Sequence, residues 1–267
     1  MNDDLLHIIA WNVEQAKDLD SFRLVSKAFA HTGIARLVRF LRIVVPSEKA
    51  AGTFTDIMAF LDAHPNARYY IERIHITGRA GRAWSFCNIN TVQRLVFVAP
   101  NLLRLNLSYL QWTSALRFAH LNPTSCPAPF IYNKPRLESL SFMSIVSTAS
   151  TPFEILNLVQ SCDFFSIRSC AMEHFLPDLT PEIHPIDCPT LVICNNPFSS
   201  LFSGAFPLPL PFRNLTSLVL FNLDLPTLRA LSHLLTAGAF NTVTDVMLST
   251  PSLATGEWGT LYSEATI

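Results

Sequence analysis

The stretch Leu102-Leu-Arg-Leu-Asn-Leu107 decides the fold, because its spacing of apolar residues recurs along most of the 267-residue chain. The pattern is apolar-x-x-apolar-x-apolar. Clear copies also begin at Ile71, Leu137, Leu215 and Val243, and weaker copies occupy Phe164/Ile167 and Leu191/Cys194. Counted from residues 71, 102, 137, 164, 191, 215 and 243, the intervals are 31, 35, 27, 27, 24 and 28 residues. This period predicts a repeat protein in which each unit covers the apolar edge of its neighbour.

The segments between these phrases have helical spacing. Apolar residues three and four positions apart precede three of the phrases: Val92, Leu95, Phe97 and Val98; Phe153, Leu156, Leu158 and Val159; and Leu228, Leu231, Leu234 and Leu235. Another helix is predicted over residues 53–64, with Phe54, Ile57, Met58 and Leu61 on one face and Pro65 ending it. Strands that alternate with helices predict an α/β fold with a parallel sheet.

The phrases at Leu102–Leu107 and Leu215–Leu220 resemble a leucine-rich repeat. That resemblance implies an irregular solenoid of strand-helix repeats over residues 46–253, followed by a frayed tail over residues 254–267. The chain departs from the family in the turn after each strand, where Leu110, Ile145 and Leu223 replace the usual asparagine or cysteine. We therefore expect these turns to differ from the family's. Proline-rich segments over residues 122–129, 176–185 and 206–211 are either loops or polyproline ligands for small recognition domains.

One face of the sheet is a candidate binding surface, because side chains alternate along a strand. The residues predicted on it are Arg73 and His75; Arg104 and Asn106; Ser139 and Ser141; Ser166 and Arg168; Ile193 and Asn195; Ser217, Val219 and Phe221; and Asp245 and Met247. Our hypothesis is a protein target bound by Arg73, His75, Arg104, Asn106, Arg168, Val219 and Phe221. The target would offer an acidic or phosphorylated segment to the arginines and an apolar anchor to Val219 and Phe221. The alternative is a solvated sheet that binds nothing.

The first 45 residues are predicted to form three short helices. Leu5, Leu6, Ile9 and Val13 share one helical face, and Asp18 is a candidate N-cap for a second helix that carries Leu19, Phe22, Val25 and Phe29. Gly33 is a natural stop, and Ile34, Leu37, Val38 and Leu41 suggest a third helix. Three such helices bury too little surface to form a core alone, so they must pack on something else.

The phrases Asp4-Leu-Leu-His-Ile-Ile, Asp18-Leu19, Phe22-Arg-Leu-Val-Ser-Lys-Ala-Phe29 and Leu37-Val-Arg-Phe-Leu-Arg42 resemble an F-box. With the repeats, the chain resembles fungal-type F-box proteins with a leucine-rich-repeat body. The resemblance implies that the Skp adaptor of a cullin-RING ubiquitin ligase binds Leu5, Leu6, Ile9, Leu19, Phe22, Val25 and Phe29. The family's opening Leu-Pro is absent, and Met1-Asn-Asp-Asp4 stands in its place. The alternative is the amphipathic start of an ordinary domain.

Composition narrows the function classes. Nineteen Lys and Arg against twenty Asp and Glu leave a net charge of −1, which predicts neither a nucleic-acid nor a membrane partner. Charged residues are only 15% of the chain and hydrophobic residues 49%, which favours a partner that covers apolar surface. The sequence has no apolar run of about 18 residues, and six scattered cysteines fit a reducing compartment, so we expect a cytoplasmic or nuclear protein with reduced thiols.

Patterns typical of catalysis are weak. Cys162, Cys170, His174, His184, Cys188 and Cys194 are the only candidate metal cluster, but none of them are spaced like zinc ligands, and structural cysteines are the preferred interpretation. The segment Gly78-Arg-Ala-Gly-Arg82 suggests either phosphate contact or an exposed loop, and we favour the loop. We therefore predict no catalytic residue, metal or cofactor.

Together these expectations describe an F-box-like helical module over residues 1–45 followed by a leucine-rich-repeat-like body. The predicted function is that of a substrate-recognition adaptor in a Skp-cullin-F-box ubiquitin ligase. The alternative is a leucine-rich-repeat recognition scaffold that is not connected to ubiquitin ligation.

Overall fold

A computed structural model describes residues 27–45, 50–78, 85–112, 134–147, 152–172, 184–194, 212–222 and 241–249. Its helices are α1 (Lys27–Arg39), α2 (Ala50–Ala63) and α3 (Ile89–Val98), with 3-10 helices over Pro65–Tyr70 and Pro152–Leu158. Its strands are β1 (Phe40–Val45), β2 (Arg73–Gly78), β3 (Ser85–Cys87), β4 (Arg104–Ser108), β5 (Leu110–Trp112), β6 (Arg136–Met143), β7 (Val146–Ser147), β8 (Ser161–Arg168), β9 (Ala171–Met172), β10 (Ile186–Asp187), β11 (Thr190–Cys194), β12 (Phe212–Arg213), β13 (Ser217–Phe221) and β14 (Asp245–Ser249).

The strands build a parallel-sheet solenoid, which confirms the α/β class and the parallel sheet. The large sheet has the strand order β1-β2-β4-β6-β8-β11-β13-β14, with β10 and β12 beside this path. A smaller sheet, β3-β5-β7-β9, is formed by the short strands that follow β2, β4, β6 and β8 along the chain. Every strand pair in both sheets is parallel, as it must be when each coil of a solenoid repeats the path of the one before.

The core lies behind the large sheet and is filled by the second and third apolar positions of the repeats on β2, β4, β6, β8, β11 and β13. These side chains form two rows with at most 2% of their surface exposed: Ile74, Leu105, Leu140, Phe165, Leu191 and Leu218; and Ile76, Leu107, Phe142, Ile167, Ile193 and Leu220. On β14, the corresponding Val246 and Leu248 are 50% and 53% exposed. Complete burial of one such side chain stabilises a fold by about 1.5–3 kcal/mol. Because each unit gains this only from its neighbours, the repeats stabilise one another in series.

The helices cover this core on the side away from the large sheet's open face. α2 confirms the predicted helix, with Leu61 buried and Phe54, Ile57 and Met58 packed partly against the core. α3 confirms the helix before the second phrase, and the Asn88 side chain caps it by accepting a 3.1 Å hydrogen bond from the Thr91 amide. The helix predicted before the fourth phrase is a 3-10 helix, whose Ile155 and Leu156 are fully buried. Among the described residues, no helix is long and apolar enough to span a membrane.

The turns after four of the described long strands are held by backbone hydrogen bonds between neighbouring coils. A left-handed residue with φ between 51° and 55° directly follows four strands: Tyr109, Ser144, Ser169 and Asn222. Its amide donates to the last carbonyl of the next long strand at 2.8–3.1 Å, as from Ser144 to Arg168. The next residue then turns into the core, where Leu110, Ile145 and Cys170 are buried. The turn amides are therefore satisfied through backbone bonds between coils. The next position is apolar at Leu110 and Ile145 and a cysteine at Cys170, whose Sγ donates to the Arg168 carbonyl at 3.4 Å.

Ser169→Val is expected to lower the free energy of unfolding by about 1–2 kcal/mol, because a β-branched side chain resists the left-handed region. Ser169 has φ 51° and an exposed side chain, so the loss would come from its backbone rather than from packing. Urea unfolding followed by circular dichroism measures the change. Ser169→Asn is the matched control and should stay within about 0.5 kcal/mol, since asparagine tolerates this conformation. Equal stability of the valine and asparagine variants would contradict the proposed turn geometry.

Two weak copies of the repeat have a different frame from the predicted one. Strand pairing aligns Phe165 with Leu140 and Leu191 with Phe165, so the copies are Cys162/Phe165/Ile167 and Cys188/Leu191/Ile193. Cys162 and Cys188 are completely buried at the first position. With first positions at residues 137, 162, 188, 215 and 243, the intervals become 25, 26, 27 and 28 residues. The predicted frames at Phe164/Ile167 and Leu191/Cys194 were therefore wrong, and the corrected solenoid is more regular there.

The end of the predicted helical module also differs. α1 runs from Lys27 through Gly33 to Arg39, so Gly33 does not end a helix. The third predicted helix stops before Leu41, because Phe40–Val45 forms β1 and pairs in parallel with β2. The β-branched run Ile43-Val44-Val45 favours a strand at this point. The remaining predictions for residues 1–26, for the helix around residues 228–235 and for the tail over residues 254–267 lie outside the described residues.

Candidate recognition surface

The side of the large sheet that faces away from the core presents three aligned rows of side chains, here called the outward face. The first row is Phe40, Arg73, Arg104, Ser139, Phe164, Thr190, Ser217 and Asp245. The second row is Arg42, His75, Asn106, Ser141, Ser166, Val192, Val219 and Met247. The third row is Val44, Thr77, Ser108, Met143, Arg168, Cys194, Phe221 and Ser249. Parallel pairing in register therefore turns scattered sequence positions into continuous rows.

All seven residues predicted to bind a target belong to these rows: Arg73, His75, Arg104, Asn106, Arg168, Val219 and Phe221. One neighbouring assignment was wrong. Ile193 is 2% exposed and lies in the core beside Ile167, so its neighbours Val192 and Cys194 occupy the outward positions of that strand. The error follows from the shifted repeat frame, since a shift of one residue moves a strand's side chains to the other face. Asn195 lies outside the described residues.

Phe164 is an outward-facing aromatic residue, although the predicted repeat frame assigned it to a core position. It occupies the middle of the first row, 38% exposed, between Ser139 and Thr190. Its neighbour Phe165 points the other way and is completely buried. The signal that distinguishes the two is the frame set by Cys162 and Ile167, which assigns position four to Phe165. Phe40, 49% exposed, begins the same row on β1.

Charge is unevenly distributed along the outward face. Arg42, Arg73 and Arg104 lie on the first three strands of the path and Arg168 on the fifth, whereas Asp245 on the last strand is the only acidic residue of the three rows. One end of the face is therefore cationic, and the other carries apolar side chains and one carboxylate. A partner that matches this face is anionic at one end and apolar at the other.

Two arginines at this end of the sheet, Arg39 at the end of α1 and Arg104 on the outward face, have carboxylate partners. Arg39 donates to Glu72 at 2.7 Å, and Arg104 donates to Glu138 at 2.9 Å. Within the described residues, Arg42 and the exposed Arg73 have no ion-pair partner. Arg42 and Arg73 are both exposed, so both guanidiniums can donate hydrogen bonds to a ligand.

A cleft at the cationic end brings guanidiniums around an aromatic ring. It has a volume of about 330 Å³ and is lined by Arg36, Arg39, Phe40 and Arg73. Guanidinium groups recognise carboxylates and phosphates through paired hydrogen bonds, and an exposed ring adds apolar contact. The cleft therefore suits an anionic side chain that carries some apolar surface.

A chain of hydrogen bonds fixes the polar side chains beside this cleft. Thr77 Oγ1 donates to the Gly78 carbonyl at 3.1 Å, Ser108 Oγ donates to Thr77 Oγ1 at 2.9 Å, and His75 Nε2 lies 2.8 Å from Ser108 Oγ. Ser108 is only 2% exposed, so its hydroxyl is buried beneath the outward face. The three side chains therefore hold one another in place and order this part of the surface.

His75 should make stability depend on pH. Burial, and secondarily the neighbouring Arg42, lowers the pKa of its imidazole below the ordinary value of about 6.5. The unfolded chain therefore takes up a proton on His75 more readily than the folded chain does. The stability that neutral His75 contributes is complete above about pH 6.5 and is lost as the pH falls toward the lower folded pKa. We expect His75→Gln to lose less unfolding free energy than the wild type between pH 7.5 and 5.5. Exposed His184→Gln is the control, and equal pH dependence of His75→Gln and wild type would contradict the assignment.

The described cysteines of the candidate metal cluster are buried, and two of them donate hydrogen bonds to backbone carbonyls. Cys188 Sγ donates to the Thr190 carbonyl at 3.4 Å, and Cys170 Sγ donates to the Arg168 carbonyl at 3.4 Å. Burial raises the pKa of Cys170 to about 11, and contact with Cys188 together with burial raises the pKa of Cys162 far above its usual range. Over the described ranges, no three His, Cys, Asp or Glu side chains are grouped to hold a metal ion. His174 and residues 79–82 of the glycine-containing segment lie outside those ranges.

The predicted adaptor-binding residues mostly precede the described part of the chain. Leu5, Leu6, Ile9, Leu19, Phe22 and Val25 all lie before α1, outside the described residues. Phe29 lies within α1, but its side chain is not among those that the structure describes. Comparisons with protein-family models, with curated proteins and with solved structures find no match to this chain.

Proposed function

We propose that this chain is the substrate-recognition adaptor of a Skp-cullin-F-box ubiquitin ligase. In this proposal the outward face holds the target protein, and the N-terminal residues Leu5, Leu6, Ile9, Leu19, Phe22, Val25 and Phe29 bind the Skp adaptor. The chain would supply proximity and orientation, while partner subunits supply the chemistry. The observation that carries the target-binding half is the outward face with its cationic and apolar ends.

The dimensions of the outward face support binding of a polypeptide. Eight strands about 4.8 Å apart make a face about 34 Å wide, the length of an extended segment of about ten residues. Arg73 and Arg104 would hold an acidic or phosphorylated side chain at one end, while Val219 and Phe221 would hold an apolar one at the other. A rigid sheet presents these groups with little ordering cost, because neighbouring strands already fix them.

The adaptor-binding half rests on the sequence resemblance of residues 4–42 to an F-box. The phrase Arg23-Leu-Val-Ser-Lys-Ala-Phe29 is its most specific part. A helix that begins at Lys27 is compatible with this phrase. The connection between the two halves would be short, since α1 leads directly into β1.

A second candidate is a leucine-rich-repeat recognition scaffold that is not connected to ubiquitin ligation. One observation favours it: residues 40–45 form the first strand of the sheet, although the F-box phrase extends to Arg42. The missing Leu-Pro at the start of the phrase points the same way. In this candidate the outward face keeps its role and only the Skp adaptor is absent.

Co-purification with a Skp adaptor distinguishes the two candidates. The full chain should be retained on a tagged adaptor, and Leu5→Asp/Leu6→Asp should weaken retention at least about tenfold, because charged side chains at an apolar interface cost more than about 1.4 kcal/mol. Arg73→Glu is the matched control and should be retained like the wild type, since it changes only the outward face. If the wild-type chain is not retained, the adaptor proposal fails and the scaffold candidate replaces it. Deleting residues 1–45 would be a poorer test, because it also removes β1 from the sheet.

A further inference from the structure

The side chains of the outward face are separated by whole numbers of strand spacings across the sheet. These distances set the spacing that the contacting residues of a ligand must have. Arg73, Arg104 and Phe164 share the first row, on the second, third and fifth strands of the sheet. At about 4.8 Å per strand, Phe164 lies about 14 Å from Arg73 across the sheet. Val219 lies two strands beyond Phe164, about 24 Å from Arg73, and Met247 one strand further, at about 29 Å.

We propose that the target is read as an extended polypeptide segment that crosses the strands, with an acidic or phosphorylated residue over Arg73 and Arg104. Apolar side chains four and eight positions away contact Phe164 and the pair Val219/Met247. This inference rests on the target-binding half of the proposed function and adds the spacing that the target must have. It also assigns Phe164 as the central contact.

The spacing follows from the geometry of an extended chain. Such a chain advances about 3.3 Å per residue, so four residues span about 13 Å and eight span about 26 Å. These lengths match the steps from Arg73 to Phe164 and from Arg73 to the pair Val219/Met247. Side chains separated by an even number of positions point the same way, so all three can face the sheet together. The segment can satisfy this spacing in either chain direction.

The exposure and surroundings of Phe164 support its central role. It is 38% exposed, and the first-row residues beside it, Ser139 and Thr190, are smaller. In the row beside it, Ser166 donates to Ser141 at 2.8 Å, so these hydroxyls partly satisfy each other. An apolar ligand side chain can therefore cover Phe164 without displacing strongly hydrated groups. Aromatic residues at the centre of an interface commonly contribute most of its binding energy.

The charge pattern favours a polypeptide over a nucleic acid. A nucleic acid strand needs cations along its whole path to match its regularly spaced phosphates. The outward rows of the last three strands on the path, β11, β13 and β14, carry no Lys or Arg and include Asp245. Three of the four outward-face arginines lie at the end near Arg73 and the fourth, Arg168, lies in the middle, whereas the far end exposes Met247 to 60%. A single anionic residue followed by apolar ones matches this arrangement.

Selection from a displayed library of random 12-residue peptides against the full-length protein tests the spacing. We expect enriched peptides to carry Asp or Glu at one position and apolar residues four and eight positions away. A fluorescein-labelled peptide from the selection should bind at least tenfold more weakly to Arg73→Glu/Arg104→Glu and to Phe164→Ser. Its affinity for Arg94→Glu should be unchanged, because Arg94 is exposed on α3, behind the sheet.

The possible failures differ from one another. Peptides that compete for the outward face but lack this spacing would overturn the inference and leave target binding intact. Peptides whose affinity is the same for all three variants would overturn both, since no target-like ligand would use the face. A 12-nucleotide single strand that binds as tightly as the best peptide, and loses affinity on Arg73→Glu/Arg104→Glu, would overturn the inference in favour of nucleic acid.

Discussion

Phe165→Ala is expected to lower the free energy of unfolding by about 3–5 kcal/mol, because it empties a fully packed site. The Phe165 ring is completely buried, meets Phe142 edge to face with ring centroids 5.1 Å apart, and lies 5.7 Å from the Phe212 ring. The surrounding strands are held in register by their backbone bonds, so they cannot close around the cavity. Chemical denaturation followed by circular dichroism measures the loss.

The adjacent residue provides the control for this prediction. Phe164→Ala removes the same atoms from the opposite face of the same strand, where 38% of the side chain is exposed, and should cost less than about 1 kcal/mol. If Phe164→Ala lost more unfolding free energy than Phe165→Ala, the assigned orientation of the β8 side chains would be wrong. That result would return Phe164 to the core and remove the central contact from the outward face.

Gly78→Ala is expected to lower the free energy of unfolding by about 3 kcal/mol or more, because the added Cβ would clash with neighbouring atoms. A Cβ at this position would lie 2.0 Å from the Tyr109 carbonyl oxygen and 3.1 Å from the Ser85 Cβ. The first obstacle is backbone, so β2 or the turn at Tyr109 must move. Movement of that turn would also strain its 2.9 Å hydrogen bond from the Tyr109 amide to the Met143 carbonyl.

An added atom elsewhere in the sheets gives the comparison for Gly78→Ala. Ala171→Ser also adds one non-hydrogen atom, at an exposed strand position, and should change the free energy of unfolding by less than about 0.5 kcal/mol. Gly78→Ser should be at least as damaging as Gly78→Ala. If Gly78→Ala proved as stable as Ala171→Ser, the close approach of Gly78 to the Tyr109 carbonyl would be incorrect.

Repeats that use leucine could be predicted from the sequence, and those that use cysteine could not. Leu105, Leu140 and Leu218 identify their strands at once, since only a strand with one buried face gives their spacing. In the copies that begin at Cys162 and Cys188, the first position is a cysteine, which is a weaker signal of a core position than leucine. The frame then slipped to Phe164 and to Leu191/Cys194. Cys162 and Cys188 are buried at core positions of the stacked coils, and this burial determines which residues of their strands face the core.

The start of the solenoid was obscured by two overlapping periodicities. Ile34, Leu37, Val38 and Leu41 have helical spacing, while Leu41, Ile43 and Val45 alternate as a strand does. Only pairing with β2 selects the strand, because β1 then covers Ile74 and Ile76 at the edge of the core. Sequence could predict the outward residues Arg73 and Arg104 from alternation. The hydrogen-bond chain from His75 through Ser108 to Thr77 required the register between two strands.

Site-specific photo-crosslinking tests the central claim, that the outward face binds a polypeptide. A benzophenone side chain introduced at Thr190 or Ser217, both on the first row, should crosslink to one common protein in a cell extract. The same group at exposed Asn66, on the 3-10 helix before β2, should not capture that protein, and Arg73→Glu should weaken its capture at Ser217 at least tenfold. Equal crosslinking of that protein at Asn66 and Ser217, with no effect of Arg73→Glu, would contradict the account.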